Sequence, residues 1–346
     1  MKSTRIPGCI AVLACTLGSL PAAQATTHYH FVDLGGQARA VNAKGEVAGQ
    51  APDGGPGLYA DGTWKSKPDH HHYGVAYGID AAGNMIGEVH RGKHDGRILE
   101  LMYYPHGQKK GVDIPLPNGS TSGDAVYNDV SPGGISPDGL HVVGTFVDAV
   151  ARISHCFVWT PGAATSMDIG LPAGFDACDA EGVNDAGEIV GQLWSEASGF
   201  SAFTYGADGF HLVGPTGIGG SADLSAINAA GHATGYIGGL AAFWNGKTLS
   251  AIPASGGLQM GSGTAINKHD VIVGWGSNAT GSTTLIYSGG VLRDLVPMID
   301  DTTGWSFAFG GSAMGINDDG TIVGLAFHDN GNGTSSERGY MLVPLD

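Results

Sequence analysis

The chain has 346 residues, with 32 Asp and Glu against 16 Lys and Arg and a formal net charge of −16. This acidic balance argues against nucleic acid and anionic membrane surfaces as partners, because both are bound by clustered Lys and Arg. Gly accounts for 60 residues, yet 42% of the chain is hydrophobic, only 14% is charged and no Gly-X-Y register runs through it, so a turn-rich globular protein is expected rather than collagen or a disordered chain.

The first 25 residues have the features of a secretory signal peptide. Lys2 and Arg5 form a basic start, residues 9–20 are mostly apolar, and Ala23-Gln24-Ala25 ends in a small-residue cleavage site. The apolar stretch is too short to span a bilayer, and no later segment reaches the roughly 20 apolar residues of a membrane helix. We therefore expect an exported protein, periplasmic or extracellular, with residues 26–346 as its mature domain and no membrane insertion.

A strand at Tyr29–Leu34 precedes a short motif that recurs seven times along the mature chain. The motif runs from a small residue through Ile or Val to Asn-x-x-Gly or a close variant of that turn, and it ends in Gly. Its copies begin at Ala40, Gly78, Gly134, Gly182, Ala226, Ala265 and Gly315. The mean spacing is about 46 residues, the size of a four-stranded propeller blade.

Each copy predicts a hairpin, because Asn-x-x-Gly between two apolar runs is a turn signal. A third strand with an aromatic centre and a short fourth strand follow, for example Cys156–Trp159 and Ser166–Ile169. The last unit ends after its third strand, whereas the Asp33-Leu34 ending of the first strand matches the fourth-strand pattern. We predict a single all-β domain, a seven-bladed β-propeller whose N-terminal strand completes the last blade and closes the ring. An open β-solenoid is the alternative.

The repeat also resembles a known family. The segment Gly315-Ile-Asn-Asp-Asp-Gly-Thr-Ile-Val-Gly324, the aromatic third strands and the closing Arg338-Gly-Tyr-Met-Leu-Val-Pro344 are similar to bacterial extracellular proteins of the HAF-repeat type. The third strand departs from His-Ala-Phe and comes nearest to it at His155-Cys-Phe157. The resemblance implies a repeat fold and export, and it transfers no catalytic residue.

Two cysteines, Cys156 and Cys178, remain after removal of the signal peptide. An even pair in an oxidising compartment permits a disulfide. Two separately buried thiols are the alternative, since the sequence does not give the distance between the Cα atoms.

Strand order predicts where a binding site lies. In a meander, the Asn-x-x-Gly turns all lie on one face of the ring, which we call the turn face. The second-to-third-strand loops and the crossings between blades lie on the opposite, loop face, where the sequence varies and a site is expected.

The loop face of blades 1 and 2 has the most chemically distinctive segments, Asp69–Tyr73 and His90–Arg97. The candidate catalytic residues are His71, His72, Tyr73, His90, Arg91 and His94. A His or Tyr base beside Arg fits a polysaccharide lyase, in which the cation neutralises a uronate carboxylate and the base removes the adjacent proton. The candidate ligands of a divalent metal are His70, His72, His90 and His94, although they show no fixed-spacing motif. Solvated loops without a site are the third interpretation.

Weaker ligand-binding candidates on the same face are Trp194, Trp275, Trp305 and Arg338, all expected in loops. An exposed Trp can stack on a sugar ring, but packing within a blade is the common alternative. The adjacent carboxylates of Asp300 and Asp301 suggest a glycoside hydrolase, whose two carboxyl groups flank the scissile bond. Side chains of neighbouring residues point apart, however, so a lyase is favoured over a hydrolase.

These features favour a secreted, monomeric binding protein that recognises an extracellular glycan or protein with its loop face. A lyase acting on a uronate-containing glycan, and a metal-dependent function at the same histidines, are the alternatives. The sequence requires no cofactor, and a divalent metal is the one candidate.

Overall fold

The computed structural model describes residues 27–67, 73–91, 98–117, 131–148, 153–214, 221–308 and 311–345. The predicted signal peptide lies outside these residues. In the described part of the chain, no helix is long and apolar enough to cross a membrane. The strands form seven antiparallel sheets, six of four strands and one of five.

In chain order the strands are β1 His28–Asp33, β2 Gln37–Val41, β3 Val47–Gln50, β4 Pro56–Ala60, β5 Thr63–Ser66, β6 Tyr73–Ile79, β7 Met85–Arg91, β8 Ile98–Tyr104, β9 Val112–Asp113, β10 Ser131–Ile135, β11 Val142–Val147, β12 Ser154–Trp159, β13 Met167–Gly170, β14 Ala177–Val183, β15 Ile189–Ser195, β16 Gly199–Gly206, β17 Gly209–Val213, β18 Ala222–Ile227, β19 Ala233–Ile237, β20 Leu240–Trp244, β21 Leu249–Ala251, β22 Gln259–Ile266, β23 Ile272–Asn278, β24 Gly281–Ser288, β25 Val291–Asp294, β26 Trp305–Ser306, β27 Ser312–Ile316, β28 Ile322–Asp329 and β29 Ser335–Leu345. A short 3₁₀ helix, Val296–Met298, follows β25.

Each sheet is one blade of a seven-bladed β-propeller. Blades 1 to 6 are the consecutive meanders β2–β5, β6–β9, β10–β13, β14–β17, β18–β21 and β22–β25. Blade 7 combines β27, β28 and β29 with β1, while β26 pairs beside β28. The predicted fold is therefore confirmed, including the assignment of turns and crossings to opposite faces.

The N-terminal strand closes the ring as predicted. β1 pairs antiparallel with β29, from His28 opposite Leu345 to Asp33 opposite Tyr340. β2 of blade 1 packs against β27, β28 and β29 of blade 7. In an open solenoid the first and last units would not touch, so that alternative is excluded.

The hydrophobic core lies between the blades. One cluster joins Ile86 and Leu101 of blade 2 to Val142 and Phe157 of blade 3. Because a neighbouring blade covers each side of a central strand, the second strands are continuous apolar runs such as Ile189-Val190, which is 1% and 0% exposed, rather than alternating sequences.

The turn asparagines link one blade to the next around the ring. In five blades the side-chain amide donates to the main-chain carbonyl of the equivalent position in the following blade, at 3.0–3.2 Å. The donors are Asn42, Asn184, Asn228, Asn267 and Asn317, and the last of them donates to Asn42 across the closure. In blades 2 and 3 the position holds Asp80 and Ser136, which lack an amide donor. Main-chain donors bridge there instead: Ala81 N donates to Pro137 O at 2.9 Å, and Asp138 N donates to Asp185 Oδ1 at 2.8 Å.

Cys156 of β12 and Cys178 of β14 form a disulfide with a Cα–Cα distance of 5.4 Å. The bond joins blade 3 to blade 4. It confirms the disulfide prediction and is consistent with an exported protein.

Candidate functional site in the channel and on the loop face

Each innermost strand contains a β-bulge three residues before the turn position. In blade 1, for example, Ala38 pairs with Gly49 and Ala40 with Ala48, which leaves Arg39 without a partner in β3. The same register shift occurs in all seven blades. A bulge re-aims a side chain relative to the regular strand.

The glycine that ends each copy of the motif, the third residue of each second strand, is explained by this bulge. A Cβ at Gly191 would lie 2.0 Å from the carbonyl oxygen of Asp179, and one at Gly49 would lie 1.8 Å from that of Gln37. The equivalent distance is 2.4 Å or less in the other five blades. The repeat therefore retains glycine because the bulged strand approaches too closely for any side chain.

The bulged residues do not repeat, although the residues around them do. They are Arg39, Tyr77, Glu181, Ser225, Thr264 and Met314, with the pair Gly133 and Gly134 in blade 3. Neighbours along the ring touch: the Arg39 guanidinium lies over the Tyr77 ring, and Thr264 Oγ1 donates to Ala313 O of the next inner strand at 2.6 Å. These contacts between neighbouring innermost strands place Arg39, Tyr77 and Thr264 on the inner wall of the ring.

On the wall formed by blades 1 and 2, aromatic and ionisable side chains are linked. Tyr77 Oη donates to Glu88 Oε1 at 3.1 Å, and His90 Nε2 lies 3.4 Å from the same oxygen. The Tyr73 ring, with its residue 55% exposed, lies 5.7 Å from the His90 ring. Burial, followed by the nearby Glu88 carboxylate, raises the pKa of Tyr77 to about 12. Tyr77 is therefore a hydroxyl donor throughout the physiological range.

The wall formed by blades 4 and 5, on the other side of the ring, is acidic. Thr145 and Ser131 donate to Asp179 Oδ1 at 2.5 and 3.3 Å, and Ser225 donates to Asp223 at 3.0 Å. Burial, with a contribution from Asp179, raises the pKa of Asp223 to about 6. Burial, followed by repulsion from Asp223 and Asp179, also raises the pKa of Glu181 well above its usual value.

A cleft of about 270 Å³ opens on the loop face at the boundary of blades 3 and 4. Trp194 and Phe200 are directly opposed on β15 and β16 and are 38% and 41% exposed. Polar groups line the rest of the cleft, from Ser131, Thr145, Ser154, Asp179 and Gln192. Cys178 also lines it, so the disulfide fixes the two blades together at this point.

The structure brings together some of the predicted catalytic residues. Tyr73 and His90 are cross-strand partners in β6 and β7. Arg91 ends β7, but its side chain lies outside the described residues, as do His70, His71, His72 and His94 entirely. In the part of the chain that is described, no group of three or more His, Cys, Asp or Glu side chains is placed to hold a metal ion. The metal prediction involves mostly histidines outside that part and stays a prediction.

The four weaker candidates lie in strands, so their expected loop positions were wrong. Cross-strand pairing extends beyond the repeat and includes Trp194 in β15, Trp275 in β23, Trp305 in β26 and Arg338 in β29. Trp305 packs on Phe31 and His328, with ring centroids 4.8 and 5.0 Å apart, and also borders a shallow hollow. Arg338 pairs with Asp33 at 3.2 Å and thereby joins β29 to the end of β1. Of these candidates, Trp194 lies in the cleft with a second aromatic ring.

Sequence reasoning missed the channel residues Arg39, Tyr77, Glu181 and Asp223, and also Phe200. For the bulged residues a signal existed. Aligning the repeats on the turn position shows Arg, Tyr, Gly, Glu, Ser, Thr and Met three residues earlier, a variable column within a conserved motif.

Comparison with known proteins supports the fold class, the β-propellers. No protein-family model matches the sequence, and no curated protein matches it. Among solved structures, puromycin hydrolase matches with 14% identity and a TM-score of 0.53 over 90% of this chain and 54% of that one. The extracellular domain of a putative one-component system from B. thetaiotaomicron matches with 11% identity and a TM-score of 0.51, over 92% of this chain and 40% of that one. TolB from Acinetobacter baumannii matches with 9% identity and a TM-score of 0.41, over 75% and 52%. This chain thus spans about half the length of these proteins or less, and at such identities the likeness shows the fold alone.

Proposed function

We propose that this protein is an exported glycan-binding β-propeller that holds its ligand on the loop face. The observation that carries the proposal is the exposed Trp194–Phe200 pair beside the polar cleft of about 270 Å³. A sugar ring has an apolar face of C–H groups and an edge of hydroxyls. Aromatic rings bind the first by stacking, while carboxylate, amide and hydroxyl groups bind the second by hydrogen bonds.

The arrangement is rigid, which favours binding. Trp194 and Phe200 project from paired strands rather than from a loop, and the Cys156–Cys178 bond holds the two blades at the cleft. Little conformational entropy is lost when such a surface binds a ligand. The repeat's resemblance to HAF-type extracellular proteins is in keeping with export.

Glycan-array binding followed by titration calorimetry tests the proposal. Trp194→Ala and Phe200→Ala should each weaken binding of the best array ligand about tenfold or more, because each removes one stacking surface. Trp275→Ala is the matched control: Trp275 is 49% exposed, but it lies on blade 6 and packs over Gly261. Absence of retention on any glycan, or equal losses in all three variants, would overturn the proposal.

A second candidate, a polysaccharide lyase, is favoured by the contact of Tyr73 and His90 beside Glu88. In β-elimination a base takes the proton next to the uronate carboxylate, the C–O bond to the leaving sugar breaks, and the leaving oxygen is protonated. In this candidate mechanism His90, beside Glu88, accepts the proton, and the exposed Tyr73 hydroxyl donates one.

The unsaturated product absorbs in the ultraviolet, so incubation with uronate polysaccharides detects this activity directly. His90→Gln and Tyr73→Phe should each abolish a signal given by the native protein. The matched control His211→Gln, on the outer strand β17 of blade 4, should retain it. Silence of the native protein across galacturonan, alginate and glucuronan would remove this candidate and leave the binding proposal standing.

A further inference from the structure

Arg39 places a cation on the channel wall without a carboxylate partner. No Asp or Glu oxygen of the described residues lies within 4.0 Å of its guanidinium, although the chain has 32 acidic residues. Its Nη2 donates to Gln37 Oε1 at 3.2 Å, whereas its buried Nε has no hydrogen-bond partner in the part of the chain described. A buried donor without a partner lowers the free energy of unfolding by about 1–3 kcal/mol, so Arg39 is not explained by a contribution to stability.

The nearby carboxylates are engaged elsewhere. Glu88 Oε1 accepts from Tyr77 and approaches His90, and Glu337 Oε2 accepts from Gln37 Nε2 at 3.3 Å. The Tyr77 ring lies 5.7 Å from the Arg39 Cζ atom, a distance at which a cation and an aromatic face attract. Gln37 and Tyr77 therefore orient the guanidinium without neutralising it.

A planar guanidinium held in this way fits a carboxylate, which it binds through two parallel hydrogen bonds. The opposite wall favours the same placement, because above about pH 6 the Asp223 carboxylate repels an anion there, while the carboxyl groups of this wall can hydrogen-bond sugar hydroxyls. An anionic sugar chain entering the channel would thus turn its carboxylate toward blades 1 and 2.

We propose that Arg39, supported by Gln37 and Tyr77, is a subsite for the carboxylate of a uronic acid, so that the glycan bound by this propeller is anionic. This inference rests on the proposed glycan binding and names its ligand class. It holds whether the bound chain is only retained or is also cleaved.

The test compares each acid oligomer with its own neutral form. Titration calorimetry would use hexamers of galacturonate, mannuronate and glucuronate and the fully methyl-esterified hexamer of each. The native protein should bind at least one acid hexamer about tenfold or more tightly than its ester, since the ester cannot form the charged pair. Arg39→Gln should abolish that difference, and Arg39→Lys, which retains charge but loses the planar fork, should retain only part of it.

Arg293→Gln is the matched control, because it removes the same charge from a cavity on the turn face between blades 6 and 7. It should leave the preference for the acid form unchanged, and thermal unfolding of each variant checks that the fold is intact. Equal affinity of the native protein for acid and ester, or a preference that survives Arg39→Gln, overturns the inference while glycan binding itself stands. Failure to bind any acid hexamer also overturns it, and retention of neutral glycans on the array then shows separately whether the proposed function survives.

Discussion

Each turn asparagine acts on both sides of a blade boundary. The Asn317 Oδ1 atom accepts from the main-chain N–H groups of Asp319 and Thr321 within its own turn, while its Nδ2 donates to Asn42 O in blade 1. Aspartate lacks the donor, and serine is too short to make all three bonds. The repeat therefore retains asparagine for a structural reason, and no ligand is needed to explain it.

Asn317→Ala should lower the free energy of unfolding by about 2–4 kcal/mol, because it leaves two turn N–H groups unpaired and removes the bond across the closure. Urea unfolding at constant pH measures the change. Asp208→Ala, in the exposed turn between β16 and β17, is the control and should shift stability by less than about 0.5 kcal/mol. Equal effects of the two substitutions would contradict the proposal that the turn asparagines stabilise the boundaries between blades.

The glycines opposite the bulges make a second prediction at the level of single residues. Gly191→Ala brings a Cβ to 2.0 Å from Asp179 O, so the bulge must shift, and Glu181 with it. A loss of about 2–4 kcal/mol is expected. Gly206→Ala, where no atom lies within 4 Å, should be nearly neutral in the same unfolding experiment. A neutral Gly191→Ala would show that the bulge does not require glycine.

The disulfide is an element-scale link, because it ties β12 of blade 3 to β14 of blade 4 beside the proposed binding cleft. Its cysteines are 22 residues apart in sequence. A bond that closes a loop of this size lowers the entropy of the unfolded chain and thereby raises the free energy of unfolding by about 3 kcal/mol.

Replacing both cysteines by alanine should therefore lower the free energy of unfolding by about 3 kcal/mol. Reductant should lower the stability of the native protein by a similar amount and leave the double variant unchanged, which separates loss of the bond from loss of side-chain packing. Glycan affinity should fall in parallel, because the cleft walls are no longer tied. Unchanged stability of the native protein in reductant would refute this prediction.

For the whole molecule, the sequence predicted what the repeat determines. Seven copies of the hairpin motif, four of them with Asn-x-x-Gly, predicted seven blades, and the ending Asp33-Leu34 predicted that the first strand completes the last blade. The channel residues could not be predicted in the same way. Arg39 and Tyr77 stand in the variable column of the repeat, but the bulge that distinguishes them from ordinary strand residues is defined by the pairing register. The histidine-rich loops were conspicuous by composition, whereas the Trp194–Phe200 pair depends on cross-strand register.

The acidic wall should make the stability of the whole ring depend on pH. The pKa of Asp223 is raised from 3.8 to about 6 by burial, and that of Glu181 is raised as well. Between about pH 4 and 6 the folded chain therefore binds more protons than the unfolded chain, so the free energy of unfolding falls as pH rises through this window. The pKa of Asp138 is lowered chiefly by a hydrogen bond from Ser136. This group makes the free energy of unfolding rise with pH, but only below about pH 4.

Urea unfolding at pH values from 4.5 to 7.5 should show a decline on the order of 2 kcal/mol attributable to Asp223. Asp223→Asn removes the titrating group and its repulsion of Glu181, so its profile should be flatter and its stability at pH 7.5 should exceed that of the native protein. Asp208→Asn, on an exposed turn, should keep the native profile. If Asp223→Asn also kept the native pH profile, the titration of the buried acids would not be coupled to folding. The description of the blade 4 and 5 wall as acidic would then lose its support.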